Sequence, residues 1–377
     1  MISLVAVLFT VSPSPSLAAA GSPDAWQTLI EAGTRAQDHA HYAEAERLFL
    51  LASHEAEQIG PGDTRVAATL NHLGLVYHAQ GQYVRAKPYY EQALALWERA
   101  LGPDHEDVGS ALNNLAEIYQ EEGAFELAEA SYLRSLAIGE RALGRGHPEL
   151  AIGLNNLAGL YRKQGRLMQA ETRFRLALAL LDNTDEMASI DPSLILNNLA
   201  GLYKEKGLYA YAEPLYRQVL ALRLERLGNH HPSIAICLNN LANLYHAQGL
   251  SELADQYYRA ALVVSESAAG PEAALTGQIL GNWAWLAHER GLMDEAKIRY
   301  QRALVIQQQT LGRNHPMVAM IFERYAGLLN GLGQSVEANL FAARAAAIRA
   351  QQIHASPTPA QSPQSRSSHE TEKGARR

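Results

Sequence analysis

Three histidines recur in phase along the chain, His147, His231 and His315, each immediately before a proline. Imidazole is a common ligand for transition metals, so histidines at a fixed beat raise the question of a metal site. Their separations answer it, because each is a multiple of 42 residues and sets the three in different structural units. Asp191 takes the same place before Pro192, and His105 stands there with no proline after it. Asp and His are interchangeable just ahead of a helix when the task is to cap it, so these residues are expected to cap or pack linkers. Glu129 and Glu171 are expected on a solvated or interhelix face. The single cysteine, Cys237, sits between Ile236 and Leu238 and reads as a small buried hydrophobe. No phosphate-binding loop, dinucleotide fingerprint, H-E-x-x-H or G-x-S-x-G motif occurs. The chain is therefore read as non-catalytic, with no cofactor and no metal.

The elements that position these residues are repeated. The blocks Leu112 to Tyr119, Leu154 to Tyr161, Leu196 to Tyr203 and Leu238 to Tyr245 all begin Leu-Asn-Asn-Leu-Ala, each 42 residues after the last. Leu70 to Tyr77 precedes them in a related form, and weaker copies follow around Trp283 and Tyr325, with another near 29–40. Glycines keep the same beat at 81, 123, 165, 207, 249, 291 and 333. Within one unit Leu112, Leu115, Ala116 and Tyr119 fall on one helix face. Gly123 ends that helix, and a second apolar series runs from Phe125 through Ala128, Tyr132 and Ser135 to Leu143. Each hairpin leaves an apolar face that only stacking can bury. The fold expected is all-α, a solenoid of about eight antiparallel helix hairpins over 21–350 forming a superhelix. The last unit, about 317–350, carries Glu323 and Arg324 in place of Asn-Asn and is expected to be a polar cap.

Net charge is −7 at pH 7. No charged side chain lies in the first 20 residues, and the last 27 carry four basic and two acidic ones, so the middle sits near −9. That excludes generic nucleic-acid binding, which needs a basic face. Ile2 to Val11 is an apolar run too short to span a bilayer, and Ala18 and Ala20 fit the small-residue rule for signal cleavage. Residues 1–20 are expected to be a signal peptide cleaved near Ala20, although no Lys or Arg precedes the run. The mature chain would be periplasmic or secreted, with no membrane span. Residues 351–377, rich in Pro and Ser, are expected to be a disordered tail.

Leu112, Leu115, Ala116, Tyr119, Gly123, Phe125, Ala128 and Tyr132 resemble the tetratricopeptide repeat pattern. The 42-residue period, the Asn-Asn pair and the Leu-Gly-x-x-His-Pro linkers (143–148, 227–232, 311–316) resemble the kinesin-light-chain subtype, here as an exported bacterial protein. The resemblance implies a protein or peptide partner held along a concave groove lined by the first helix of each repeat. It also places the column Asn71, Asn113, Asn155, Asn197 and Asn239 toward that groove, where amides could bond a peptide backbone. The adjoining column, Asn114, Asn156, Asn198, Asn240 and Asn282, is expected to join neighbouring units; the alternative is that both columns do only that. Specificity would come from Glu117, Gly159, Gly201, Asn243 and Trp285, and a turn later from Arg162, Lys204, His246 and His288. Gly159 and Gly201 would leave room for a ligand. Trp285 would be an exposed anchor, or else part of a plug with Trp283. Self-association into an envelope structure is the alternative function, disfavoured by a polar last repeat.

Overall fold

The computed structural model describes residues 25–39, 41–60, 62–182 and 190–355. The expected signal peptide and all of the expected tail beyond Ala355 lie outside the described residues. Every described element is a helix. The first four hairpins are α1 (Ala25–Asp38) with α2 (Tyr42–Ile59), α3 (Thr64–Ala79) with α4 (Tyr83–Leu101), α5 (Glu106–Glu121) with α6 (Phe125–Leu143), and α7 (Leu150–Lys163) with α8 (Leu167–Asp182). The last four are α9 (Ser193–Glu205) with α10 (Tyr209–Leu227), α11 (Pro232–Ala247) with α12 (Ser251–Ala268), α13 (Ala274–Glu289) with α14 (Met293–Thr310), and α15 (Pro316–Gly331) with α16 (Ser335–Ala355). The fold is the all-α solenoid expected, with α16 running five residues past the expected boundary at 350.

From α3 and α4 onward, each turn between paired helices follows from its glycine. Gly123 adopts φ +76°, a conformation costly for any residue with a Cβ. The next residue, Ala124, then donates its N–H to the Tyr119 carbonyl at 2.8 Å and closes the helix end. Entry to the first helices is set by caps. His105, His147, His231 and His315 each accept, through Nδ1, the backbone N–H two residues on, at 3.1 to 3.3 Å. Asp191 does the same for Ser193 at 2.9 Å. The capping reading of the histidines is thus what the structure shows.

Small residues let the helices stack closely. Ala128, Ala170, Ala212, Ala254 and Ala296 are fully buried in the second helices, as are Ala116, Ala158, Ala200, Ala242 and Ala284 in the first. In the two N-terminal hairpins the first-helix position is glycine, for a steric reason. A Cβ on Gly74 would come within 2.6 Å of the Tyr90 ring, and one on Gly33 within 2.5 Å of Phe49. Successive first helices touch one another from α1 to α9 and from α11 to α15, whereas second helices pack chiefly against first helices. The first-helix side is therefore the tighter, concave side of the curve.

The last hairpin corrects the expectation of a polar cap. Val336 and Leu340 on α16 are 89% and 64% exposed, with Ala343 and Ala347 continuing the same face. The expected polar replacement is confined to Glu323 and Arg324 on α15.

Candidate functional site

The two asparagine columns form one ladder. Asn114 donates Nδ2–H to Asn71 Oδ1 at 2.9 Å, and Asn156 donates to Asn113 at 3.1 Å. Asn198 donates to Asn155 at 2.9 Å, Asn240 to Asn197 at 2.7 Å and Asn282 to Asn239 at 3.2 Å. Every rung runs from the second column of one repeat to the first column of the preceding one. The division of labour expected between the columns is corrected accordingly, because the first column is equally part of the joint between units. Asn113, Asn155 and Asn239 are buried, while Asn71 and Asn197 are half-buried. A ladder of amides inside helices recovers, as inter-repeat hydrogen bonds, what asparagine loses in helix propensity.

A second set of links ties each repeat to the last. The hydroxyls of Tyr161, Tyr203 and Tyr245 donate to Glu129, Glu171 and Glu213 of the preceding second helix at 2.8 to 3.0 Å. Cations complete these links: Arg166 on Glu129 at 2.6 Å, Lys206 on Glu171 at 2.6 Å and Arg217 on Glu213 at 2.9 Å. Arg166 holds the Glu129 carboxyl below its ordinary range, against the opposing effect of burial. Glu129 and Glu171 therefore lie on the interhelix face.

The remaining groove residues differ along the array. Glu117 accepts from Asn156 Nδ2 at 3.2 Å and has His78 at 3.6 Å. Burial, with the charge of Glu121 added, pushes its carboxyl up to about 8. Open space lies beside Gly159, as expected. Gly201 is different, and the expectation of ligand room there is corrected. An added Cβ would meet the Arg162 guanidinium at 3.3 Å, and Arg162 is fixed there by a two-pronged pair with Glu205. Lys204 is half-buried and without an ion pair among the described residues; burial draws its ammonium below the ordinary value. Asn243 accepts from the Tyr258 hydroxyl at 2.7 Å.

At the C-terminal end the ladder changes character. Gly281 stands in the first column, and the next second-column position is Arg324, which donates to Asn282 Oδ1 at 3.4 Å. Trp285 is 38% exposed and lies between two groups: the His246 ring, edge-on at 5.0 Å between centroids, and the Arg324 guanidinium, 4.0 Å over its face. Trp283 is separate from it, buried and bonded through Nε1 to Asp255 at 2.7 Å with Arg299 over its ring. The two tryptophans thus do not form a common plug. His246 pairs with Glu289 at 2.7 Å, and His288 is half-buried beside Gly327. Arg324 was not among the expected site residues, although the loss of Asn-Asn at 323–324 was its signal.

Among the described residues no three His, Cys, Asp or Glu side chains converge as metal ligands, and no helix is long and apolar enough to cross a membrane. Cys237 is buried, and burial pushes its thiol up to about 11.

A sequence profile described as tetratricopeptide repeat matches residues 65–132, 107–183 and 191–267, together more than half of the chain. A second profile of the same description matches 276–316. No curated protein matches the sequence. Among solved structures, BtubC (BKLC) from P. vanneervenii is similar at 26% identity over 67% of this chain and 99% of that one, with a TM-score of 0.50. A tetratricopeptide repeat protein from Parabacteroides merdae aligns at 20% identity over 80% and 99% of the two chains, TM-score 0.52. The Rap conjugation gene regulator of the plasmid pLS20, solved in complex with the Phr* peptide, shares the fold at 16% identity over 88% and 95%, TM-score 0.58.

Proposed function

The chain belongs to the tetratricopeptide repeat family, and from that premise we propose that it is a non-catalytic scaffold that holds an extended partner segment along its concave groove. The observation that carries this reading is the composition of the groove. First helices from successive repeats present an open saddle at Gly159, an ammonium without an ion pair among the described residues at Lys204, and an exposed aromatic at Trp285. The exposed Trp285 supplies an anchor for such a segment. The 42-residue repeats and His-Pro linkers support the kinesin-light-chain-like subtype.

The test uses the open space at Gly159. Gly159→Trp introduces a side chain into a helical position where a Cβ meets nothing within 4 Å. Replacing a helical glycine with tryptophan gains up to about 0.5 kcal/mol in helix propensity, so the thermal melt should hold or rise. Binding to a library of end-blocked peptides should fall sharply. Peptide capture unchanged by this variant would sink the groove reading.

Export belongs to the same reading, supported by the apolar run Ile2 to Val11 and the Ala18 and Ala20 junction. N-terminal sequencing of the mature chain from an envelope fraction should start just after Ala20; an intact Met1 would refute it. A self-associating structural role has one observation in its favour, the exposed Val336 and Leu340 face of α16. Light scattering that grows with protein concentration would support that role.

A further inference from the structure

We propose that the exposed face of α16 is the contact surface of a two-fold dimer, with α16 packed antiparallel against α16 of a second copy. The surface lies on the convex side of the array, so the inference goes beyond the groove reading and does not depend on it.

The face is apolar over two helices. On α16, Val336, Leu340, Ala343 and Ala347 follow one another at i, i+4, i+7 and i+11 and form one exposed stripe. On α14, Ile298 and Val305 hold the places of Leu340 and Ala347 one repeat earlier, and both are more than half exposed. The earlier second helices carry Pro88, Ala130, Thr172, Pro214 and Gln256 where α14 and α16 carry Ile298 and Leu340. At this position a large aliphatic side chain is thus confined to the last two repeats. Alanine at 343 and 347 lets a facing helix approach closely, and that helix would take Val336 and Leu340 out of water. Residues 356–377 contain no Val, Ile, Leu, Met or aromatic side chain, so that segment has nothing large and apolar to lay over the stripe.

Charge along the edge of the stripe points to a second copy as the cover. In earlier repeats the corresponding charges are paired: Arg134 is on Glu98 and Arg302 on Glu266, both at 2.7 Å, and Glu295 is on Arg299 at 2.6 Å. One repeat on from Arg302 and Glu266 stand Arg344 and Gln308. One repeat on from Glu295 and Arg299 stand Glu337 and Phe341. In both cases the charge is kept and its partner is lost. Glu337 and Arg344 are exposed and have no ion pair among the described residues, whereas Arg349 is on Glu323. One is an acid and one a base, seven residues apart on the same edge of the helix. A helix so marked is complementary to itself run in reverse. About a two-fold axis passing near Leu340, Glu337 of each copy meets Arg344 of the other, and the two stripes close on each other. Such a dimer stops at two chains, because both copies use the same patch, and its two grooves open away from each other.

Sedimentation velocity of the purified chain over a range of concentrations gives the readout. The wild-type chain should rise from the mass of one chain and level off at two. In dilute protein, where chains are single, substitutions on this face should leave the melt nearly unchanged. Leu340→Asp should keep the chain single throughout; should that variant fold poorly, the charge variants decide alone. Glu337→Arg and Arg344→Glu each set two like-charged pairs across the axis and should raise the dissociation constant by at least about tenfold. Mixed in equal amounts, these two variants should dimerise as the wild type does, since both contacts again join an acid to a base. A wild-type chain that stays single, a dimer indifferent to Leu340→Asp, or a mixture no tighter than its components overturns the proposal. Mass that grows past two chains without levelling also overturns it, in favour of the open-ended structural role. A chain that stays single yet floats with phosphatidylcholine vesicles, an ability lost in Leu340→Asp, overturns it in favour of a lipid surface.

Discussion

The middle of the groove and its C-terminal end share one backbone period and are furnished differently. From α5 to α11 the side chains that repeat are engaged with each other: asparagine to asparagine, tyrosine to glutamate, Arg162 to Glu205. At α13 and α15 the period persists, but Gly281, Trp285 and Arg324 stand where amides or small residues stood before. Residues that recur hold the stack together, and residues that interrupt the recurrence are the ones left with unspent bonding capacity.

The largest effect expected from this contrast lies in the packed centre. Leu157 is fully buried, so Leu157→Ala should cost about 2–5 kcal/mol in urea denaturation. If that variant proves harmless, the centre is not the structural half of the comparison. Next comes the ladder. Asn198→Ala leaves the buried Asn155 carbonyl without its donor and should cost about 1–3 kcal/mol. Arg324→Ala should cost less, since its bond to the half-buried Asn282 is long. Equal losses at both positions would erase the distinction between centre and end.

A pH effect sharpens the comparison at the opposite, acidic stretch of the groove. The Glu117 carboxyl is raised in the folded state, so the fold binds an extra proton between its ordinary value of 4.5 and about 8. Stability should therefore be at its fullest below that window and decline as pH rises through it. Glu117→Gln should remove the decline, raising the melting temperature at about pH 9 while leaving it nearly unchanged near pH 4. A wild-type melt that improves with pH over this range, and a variant that copies it, would contradict the assignment. The smallest effect is expected at the exposed end: Val336→Ser should change stability by no more than about 0.5 kcal/mol. A larger loss, seen only at high protein concentration, would show that this face is covered by another copy.

Much of the fold was legible because its signals are local. A glycine at φ +76° ends a helix by its own conformational freedom, and an Asp or His caps the next one through an N–H two residues away. Both follow from residue type and spacing. The ladder was only half legible, since both columns could be counted but not how they join. A rung links residues 43 apart in a chain of period 42, and that one-residue offset is set by how hairpins settle on each other. Gly201 was misjudged for a related reason. Absence of a side chain there says nothing of the long Arg162 that reaches across from the preceding repeat. Trp285 stood out by type, but Arg324, which gives it chemical meaning, became visible only as a neighbour across repeats.

The direction of the rungs has a consequence for how long such a molecule can be. Each repeat from α5 to α12 brings one amide that gives and one that receives, always toward the same side. A whole unit could be spliced in or cut out, and its neighbours would close the seam with no orphaned amide between them. Only the two termini of the series need a different answer. At one, His72 replaces the donor and stacks on Phe49; at the other, Arg324 takes over. The length of the array is thus open to change in whole steps, while its two end-pieces must be kept.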